Sequence, residues 1–318
     1  MTVSIIIAVK AWQNNLEQCL AKCLELDFPD FEILILPDAP FAKEFNDRRI
    51  RVIPTKEVSP AAKRDIAVNL AKGEILAFLD DDAFPRKDWL KYAIINFKDK
   101  EIAAVGGPAV TPAEDTLRQK ASGLVYSSII TSGSYVYRYI PGTKKEVCDY
   151  PSCNFLVRKS IMKELGGFNT NFWPGEDTKL CLDIVMKLKK KIVYDPKALV
   201  YHHRRPLFKG HLNQIASYAL HRGYFVKRFP ETSLRPSYFV PSLFLLFLLS
   251  GLVTSIFISY LRIFYAFGLV FYVSLVLIFS INNKLRLIPV VFSGIILTHL
   301  TYGYYFIKGL FSKRLKEE

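Results

Sequence analysis

From Pro236 onward the chain carries almost no charge. Residues 236–261, 263–283 and 287–307 contain no Asp, Glu, Lys or Arg, and only Arg262, Lys284 and Arg286 interrupt them. Each run is long enough to cross a hydrocarbon core of ~30 Å as a helix of about 20 residues. A membrane-anchored tail of about three helices over residues 236–308 is therefore expected, followed by a basic end at 309–318. The alternative is three buried helices of a large soluble protein. Up to about Pro230, by contrast, charged and apolar residues mix as they do in a soluble α/β domain. Val3–Val9 is apolar but short and lacks a preceding basic region, so no signal peptide is expected. The N-terminal part is then expected in the cytoplasm, with the tail placing it at the cell membrane.

The formal net charge of +14 invites a nucleic-acid partner. No nucleic-acid motif accompanies it, and none is expected as a partner. Lys227, Arg228 and Arg235 sit just before the first apolar run, as befits a flank facing anionic lipid. The five cysteines are odd in number and form no CxxC pair, so neither a disulfide framework nor a zinc site is supported.

Ile75–Leu79 is an apolar run that ends in Asp80-Asp81-Asp82. Adjacent carboxylates repel and raise one another's pKa, a conflict that a cation relieves. Mg²⁺ and Mn²⁺ prefer carboxylate oxygen, and Mg²⁺ is held by one or two carboxylates plus substrate phosphates. The expectation is a metal–diphosphate site at the C-terminal end of a buried strand, where open α/β sheets bind ligands. A second reading makes Asp82 the cap of a helix across Phe84–Trp89.

Val3–Val9, Glu32–Leu36, Arg51–Ile53 and Ile75–Leu79 read as strands, and Asn15–Leu26 and Ala61–Leu70 as helices. That alternation predicts a mostly parallel sheet with helices on both faces. The second strand ends at Pro37-Asp38 and the fourth at the aspartates, so both acidic ends fall on one rim, across which a nucleotide can lie. After Gly106-Gly107-Pro108 the rhythm breaks, and it resumes at Ser152–Val157. Gly175-Glu176-Asp177 precedes the amphipathic stretch Thr178–Lys189, which puts both carboxylates at a helix N-terminus. They either complement the helix dipole, worth about 0.3–1 kcal/mol, or supply a rigidly held general base. Lys191–Tyr194 and Ala198–Tyr201 lead into His202-His203-Arg204-Arg205. Imidazole can ligate a divalent metal and guanidinium forks match phosphate oxygens; a histidine there can equally be a polar boundary residue. From Pro206 to Pro230 the chain is basic and amphipathic, which suits a helix lying on a membrane surface.

These segments, in this order, resemble a family 2 inverting glycosyltransferase of the GT-A fold over roughly residues 2–230. The resemblance rests on Val3-Ser4-Ile5-Ile6-Ile7, Asp38, Ala62-Lys63-Arg64-Asp65 with Ala71-Lys72-Gly73-Glu74, the DxD-like Asp80-Asp81-Asp82, Gly166-Gly167-Phe168 and Gly175-Glu176-Asp177. The layout of His202–Pro206, Gln214, His221-Arg222-Gly223 and His299–Gly303 is similar to the succinoglycan-type exopolysaccharide glycosyltransferases. There are departures: Lys10-Ala11-Trp12 replaces the usual Tyr-Asn-like pair, Pro37 stands where a second acid is common, and Asp65 where Asn is usual. Gln214 and Arg222-Gly223-Tyr224 only echo the Gln-x-x-Arg-Trp motif of processive synthases, so no polymerase is expected.

The resemblance implies an α/β GT-A domain, Rossmann-like with a mostly parallel sheet, over residues 1–205. An amphipathic juxtamembrane segment at 206–235 and the transmembrane region would follow. The implied reaction moves a sugar from a nucleotide-diphosphate donor, with inversion, to a hydroxyl of a lipid-linked (polyprenyl) saccharide in surface polysaccharide or glycan assembly. Asp82 is the implied ligand of Mn²⁺ or Mg²⁺, with Asp80 and His202 as further ligands. Asp38, Arg64, Asp80, Asp81, Arg204 and Arg205 are the implied donor contacts. Asp177 is the implied general base, Glu176 its companion, and Gln214 and Arg222 the acceptor or gating residues. Two rivals stand beside this: a polyprenyl-phosphate glycosyltransferase similar to dolichol-phosphate mannose synthases, and a non-catalytic membrane scaffold of the same fold. Three membrane crossings would also strand Lys308, Lys313, Arg314 and Lys316 on the far side, against the positive-inside tendency. A re-entrant or interfacial segment would remove that conflict. His299, inside the third run, is either a functional intramembrane group or an interfacial anchor.

Overall fold

The computed structural model describes residues 1–281 and 284–317. The chain divides into two compact units, one built from Met1–Pro112 and Tyr137–His203, the other from Ala113–Val136 and Arg204–Lys316.

In the first unit the short apolar runs become strands because they can be buried on both faces, as parallel sheets require. β1 (Val3–Ala8), α1 (Asn14–Leu24), β2 (Phe31–Leu36), β3 (Ile50–Val52), α2 (Pro60–Leu70) and β4 (Ile75–Leu79) follow one another, and the four strands pair in parallel in the order β3-β2-β1-β4. Helix α2 starts where Ser59 accepts the amide hydrogen of Ala62 at 3.2 Å and Pro60 opens the first turn. After β4 come β5 (Ala83–Pro85), α3 (Trp89–Ile95), β6 (Ile102–Gly106) and β7 (Ala109–Val110). Helices α4 (Leu117–Ser127) and α5 (Ile129–Ser132) belong to the second unit, after which β8 (Lys145–Val147), β9 (Asn154–Arg158), α6 (Lys159–Leu165), α7 (Glu176–Leu182), β10 (Lys191–Tyr194) and β11 (Val200–His202) complete the first. The main sheet runs β3-β2-β1-β4-β9-β6-β10-β8, with β9 antiparallel to both neighbours and β8 antiparallel to β10. A small second sheet runs β5-β11-β7.

Alternation along each strand sends successive side chains to opposite faces. Ile5, Ile7, Ile33, Ile35, Ala77 and Leu79 share one buried cluster with Leu16, Cys19, Leu20 and Cys23 of α1 and with Trp89, Leu90 and Ala93 of α3. Helix α2 packs against β1 and β2, and α6 against α2 and β9. The turn at Ala71-Lys72-Gly73-Glu74 is anchored by Ser4, whose hydroxyl donates to Glu32 at 2.7 Å and accepts from the Gly73 amide at 2.8 Å. A Cβ on Gly73 would stand 2.5 Å from the Ser4 nitrogen, so only glycine lets that turn close onto β1. All five cysteines are free thiols.

In the second unit α4 opens with a capping box between Thr116 and Gln119. The chain then continues through α8 (Lys209–Arg228), α9 (Pro230–Ser233), α10 (Pro236–Phe257), α11 (Ser259–Ile281) and α12 (Ile288–Phe311). Among the described residues, three helices are long and apolar enough to cross a membrane: Pro236–Phe257, Ser259–Ile281 and Leu285–Phe311. The last two positions of the second apolar run, 282 and 283, lie outside the described residues. Helix α8 is amphipathic, but its inward face is taken up by α12, with His211, Ile215, Ala219, Tyr224 and Phe225 buried. His211 is fully enclosed, its Nδ1 2.8 Å from the Ser122 hydroxyl and its Nε2 3.0 Å from that of Thr298. Burial, and then the nearby Arg204 charge, push its pKa down to about 4, so it is neutral at physiological pH. His299 bonds the Tyr272 hydroxyl at 2.9 Å and the Ile130 carbonyl at 2.8 Å.

Candidate active site

Parallel pairing aligns the C-terminal ends of β1, β2 and β4, because Ala8 lies beside Leu36 and Ile6 beside Phe78. Asp38 and Asp80 therefore emerge on one rim. After Asp82 the chain enters β5, so the helix start that the capping reading required there does not exist. Asp88 instead takes the N-cap position of α3, without a side-chain cap bond. The reason is tertiary. Ala83 pairs with His202 and Phe84 with Tyr201 in the small sheet, and the His203 amide donates to the Asp82 carbonyl at 2.9 Å.

That pairing delivers His202 to the aspartates. Its Nε2 lies 3.0 Å from Asp82 Oδ1, and Asp80, Asp82 and His202 each offer one ligand atom, all within 4.8 Å of one another. Two carboxylates and one imidazole, all half-buried, suit a divalent cation of the Mn²⁺ kind. Asp81 faces elsewhere and accepts from the Gln13 amide. Burial, reinforced by the Asp82 and Asp80 charges, pushes its carboxyl up to about 7.

Behind the aspartates lies Arg64, buried on α2. One guanidinium nitrogen donates to Asp80 at 2.8 Å and the other to Glu176 at 3.1 Å, with the rings of Phe78 and Phe168 5.9 and 5.7 Å from the guanidinium. Burial works against its charge, but Asp80 and Glu176 outweigh it and hold the guanidinium protonated. Glu176 has both oxygens engaged, one by Arg64 and the other by the Gly175 amide at 3.0 Å. Burial first and the Asp177 charge second push its pKa up to about 7, with Arg64 opposing. Asp177 is half-buried in the first turn of α7, accepting from the amides of Thr178 at 2.7 Å and Ser152 at 3.3 Å. The two carboxylates thus differ: Glu176 is locked inward and Asp177 is the more accessible.

Lys63 carries no assigned role in the sequence reading, yet it is buried beside this rim. Its ammonium donates to Asp38 and, at 2.5 Å, to the Val9 carbonyl, bridging the ends of β1 and β2. Its neighbour Arg64 in Ala62-Lys63-Arg64-Asp65 was the available signal. Asp65 points away and accepts the Phe168 amide at 2.8 Å, holding the Gly166-Gly167-Phe168 turn. His203 Nε2 lies 2.8 Å from Gln18.

The remaining candidates belong to the second unit. Arg204 is buried with its guanidinium 5.7 Å from the Tyr126 ring centre, and Arg205 is exposed. Gln214 accepts from the Tyr126 hydroxyl at 3.1 Å and donates to that of Tyr218 at 3.0 Å. Arg222 donates to Ser233 at 3.2 Å and covers the ring of Tyr238.

Known proteins are similar to this chain in sequence and in fold. The chain is 28% identical over 160 residues to a pre-mycofactocin glycosyltransferase of Mycobacterium tuberculosis, covering 50% of this chain and 33% of that protein. It is 23% identical over 188 residues to the glycosyltransferase AglE of Haloferax volcanii, covering 55% of this chain and 58% of that protein. The chain spans less than two thirds of each of these curated relatives. Its fold is similar to that of the mannosyltransferase PcManGT from Pyrobaculum calidifontis, solved with GDP-Man and Mn²⁺. The TM-score is 0.55 at 17% identity, covering 98% of this chain and 88% of that one. The mostly parallel α/β sheet expected from the strand and helix pattern, and the GT-A-like fold implied by the resemblance, are what is found. Residues 4–166, just over half of the chain, match the description Glycosyl transferase family 2, and the chain belongs to that family.

Proposed function

We propose that this protein transfers a sugar from a nucleotide-diphosphate donor, with inversion, to a hydroxyl of a lipid-linked saccharide at a membrane. The observation that carries the reading is the convergence of Asp80, Asp82 and His202 on one rim, joined through Arg64 to Glu176 beside a more accessible Asp177. The GDP-Man and Mn²⁺ in the PcManGT structure support the same donor class and cation. Asp80, Asp82 and His202 would hold the ion, and the imidazole favours Mn²⁺ over Mg²⁺. A bound divalent cation would stabilise the charge that builds on the leaving diphosphate.

The chain's own residues account for the rest. Asp38, fixed by Lys63, stands at the end of β2, where a nucleoside would meet it. Asp177 takes the proton of the acceptor hydroxyl as its oxygen attacks the anomeric carbon and the bond to diphosphate breaks. Glu176 and Arg64 fix the start of α7, so the base is held in one position. The exposed apolar surfaces of α10 and α11 would bring a lipid-borne acceptor to the same membrane.

The test is transfer by detergent-purified protein from a panel of nucleotide sugars, with Mn²⁺ or Mg²⁺ and membrane lipid extract as acceptor. Asp82→Ala should abolish metal-dependent transfer. Asp177→Asn should lower it by about 10²–10⁴-fold, the usual share of a general base. Transfer onto bare polyprenyl phosphate that survives Asp177→Asn would replace the hydroxyl acceptor with a phosphate, which is already anionic and needs no base. Absence of transfer from every donor would overturn the enzymatic reading.

A further inference from the structure

The second unit shows how its three apolar helices are arranged. Helices α10 and α11 form an antiparallel hairpin around Ile258: Gly251 meets Tyr265, Phe247 meets Gly268, and Phe244 lies 4.0 Å from Tyr272. Most of the surface around this pairing is apolar and exposed, including Phe257, Ile263, Phe264, Phe267, Val270 and Phe271.

Helix α12 is different. Near its start, Leu287, Val291 and Ile295 share a cluster with Val276 of α11. Further on, His299 bonds Tyr272, Gly303 accepts from Ser242, and Phe306 packs on Phe239 at 5.0 Å. Counted at about 1.5 Å per residue from Ile258, these partners lie at depths of about 21–28 Å along the hairpin. Over the same contacts α12 advances about 22 Å along its own axis, from Val291 to Phe306. A helix that travels that far while its depth changes by only about 7 Å runs across the base of the hairpin, not alongside it.

Its other neighbour is a basic helix. His211 meets Thr298, a Cβ on Gly223 would be 2.1 Å from the Phe306 carbonyl, and one on Gly309 would be 2.0 Å from that of Leu220. Helices α8 and α12 therefore lie in contact and run in the same direction. Helix α8 carries Lys209, Arg222, Lys227 and Arg228, which are costly inside hydrocarbon. Lys227 also donates to the Ser312 carbonyl at 2.7 Å, just past the end of α12. The exposed residues of α12 are Pro289, Leu297, Tyr304, Lys308 and Phe311.

We propose that only the α10–α11 hairpin enters the bilayer, and that α12 lies with α8 in the interfacial plane at its base. Arg235, Lys284, Arg286, Lys308, Lys313, Arg314 and Lys316 then share one membrane face with α8, and Arg262 alone sits at the hairpin tip. That distribution obeys the positive-inside tendency that three crossings would violate. The proposal rests on the membrane reading above and commits to lipid as the hairpin's partner.

The test uses the full chain with one epitope tag ahead of Met1 and another after Glu318, in sealed vesicles of one orientation. Protease added outside should remove both tags or neither. Removal of one with protection of the other means an odd number of crossings and overturns the proposal. Spin labels at Leu297, Tyr304 and Phe311, on a Cys148→Ser/Cys153→Ser background, should report one shallow depth, with Leu249 and Phe267, exposed near the middle of the hairpin, far deeper. A depth that reaches the bilayer centre along α12 overturns the proposal independently. Release of the protein by alkaline carbonate overturns the membrane reading itself, a failure distinct from an odd crossing count.

Discussion

Asn154, fully buried in β9, ties separate strands and loops together through one amide. Its nitrogen donates to the carbonyls of Gly107 at 2.7 Å and Ala198 at 2.8 Å, and its oxygen accepts the Trp89 indole hydrogen at 2.9 Å. Asn154→Ala strands the Trp89 indole and the Ala198 carbonyl in the core, where each unsatisfied group costs about 1–3 kcal/mol, while the Gly107 carbonyl keeps the Tyr150 hydroxyl at 2.8 Å. A loss of at least about 2 kcal/mol is expected, read as a lower urea midpoint at unchanged slope. Glu176 makes a pH-dependent contribution. Its folded pKa is raised to about 7 by burial and Asp177, so the folded state binds this proton more tightly than the unfolded chain, whose Glu titrates near ~4.3. Stability is therefore highest below about pH 4.3 for this group and is lost as pH rises towards 7. Glu176→Gln should flatten that part of the stability–pH curve, measured by urea melts across pH 4–8. Neither role is legible locally: an Asn at the start of a strand and a Glu at the start of a helix are ordinary until their partners arrive.

At the scale of elements, the close approach of α8 and α12 depends on two glycines. A side chain on Gly223 or Gly309 would run into backbone carbonyls of the facing helix, and small residues are what let helix backbones approach this closely. Gly223→Leu should separate the pair and lower the thermal midpoint in detergent by several degrees. Ser250→Leu, on the exposed apolar hairpin, should leave it unchanged. The basic, amphipathic pattern of α8 was legible in the sequence, but the occupant of its apolar face was not. Amphipathicity states that a face must be covered, and lipid and a neighbouring helix satisfy it equally. The same limit applies at Phe84–Trp89. Pro85 and Asp88 carry helix-start signals, yet β11 pairs with Ala83–Pro85 and the helix begins only at Trp89.

For the whole molecule, removing everything after Arg235 should not yield a soluble monomer. It would strip α12 from α8 and α4, exposing Ile215, Ala219, Phe225 and Val125, which are now buried. Size-exclusion chromatography of that truncation should show aggregates, whereas the full chain in detergent elutes as a discrete species. The α/β sheet and the apolar tail were legible because both are written in local periodicity: buried parallel strands are short continuous apolar runs, and bilayer-length helices are uncharged ones. The aspartate cluster was legible for a similar reason, since adjacent like charges at a strand end stand out in any window. Tertiary structure alone decided what meets those carboxylates. His202 reaches Asp82 through strand pairing across the small sheet, and Arg64 joins Asp80 to Glu176 through the packing of α2. It also decided which apolar helix lies across the others. Such contacts join residues far apart in the chain, and a local pattern contains no information about which distant residue will close them.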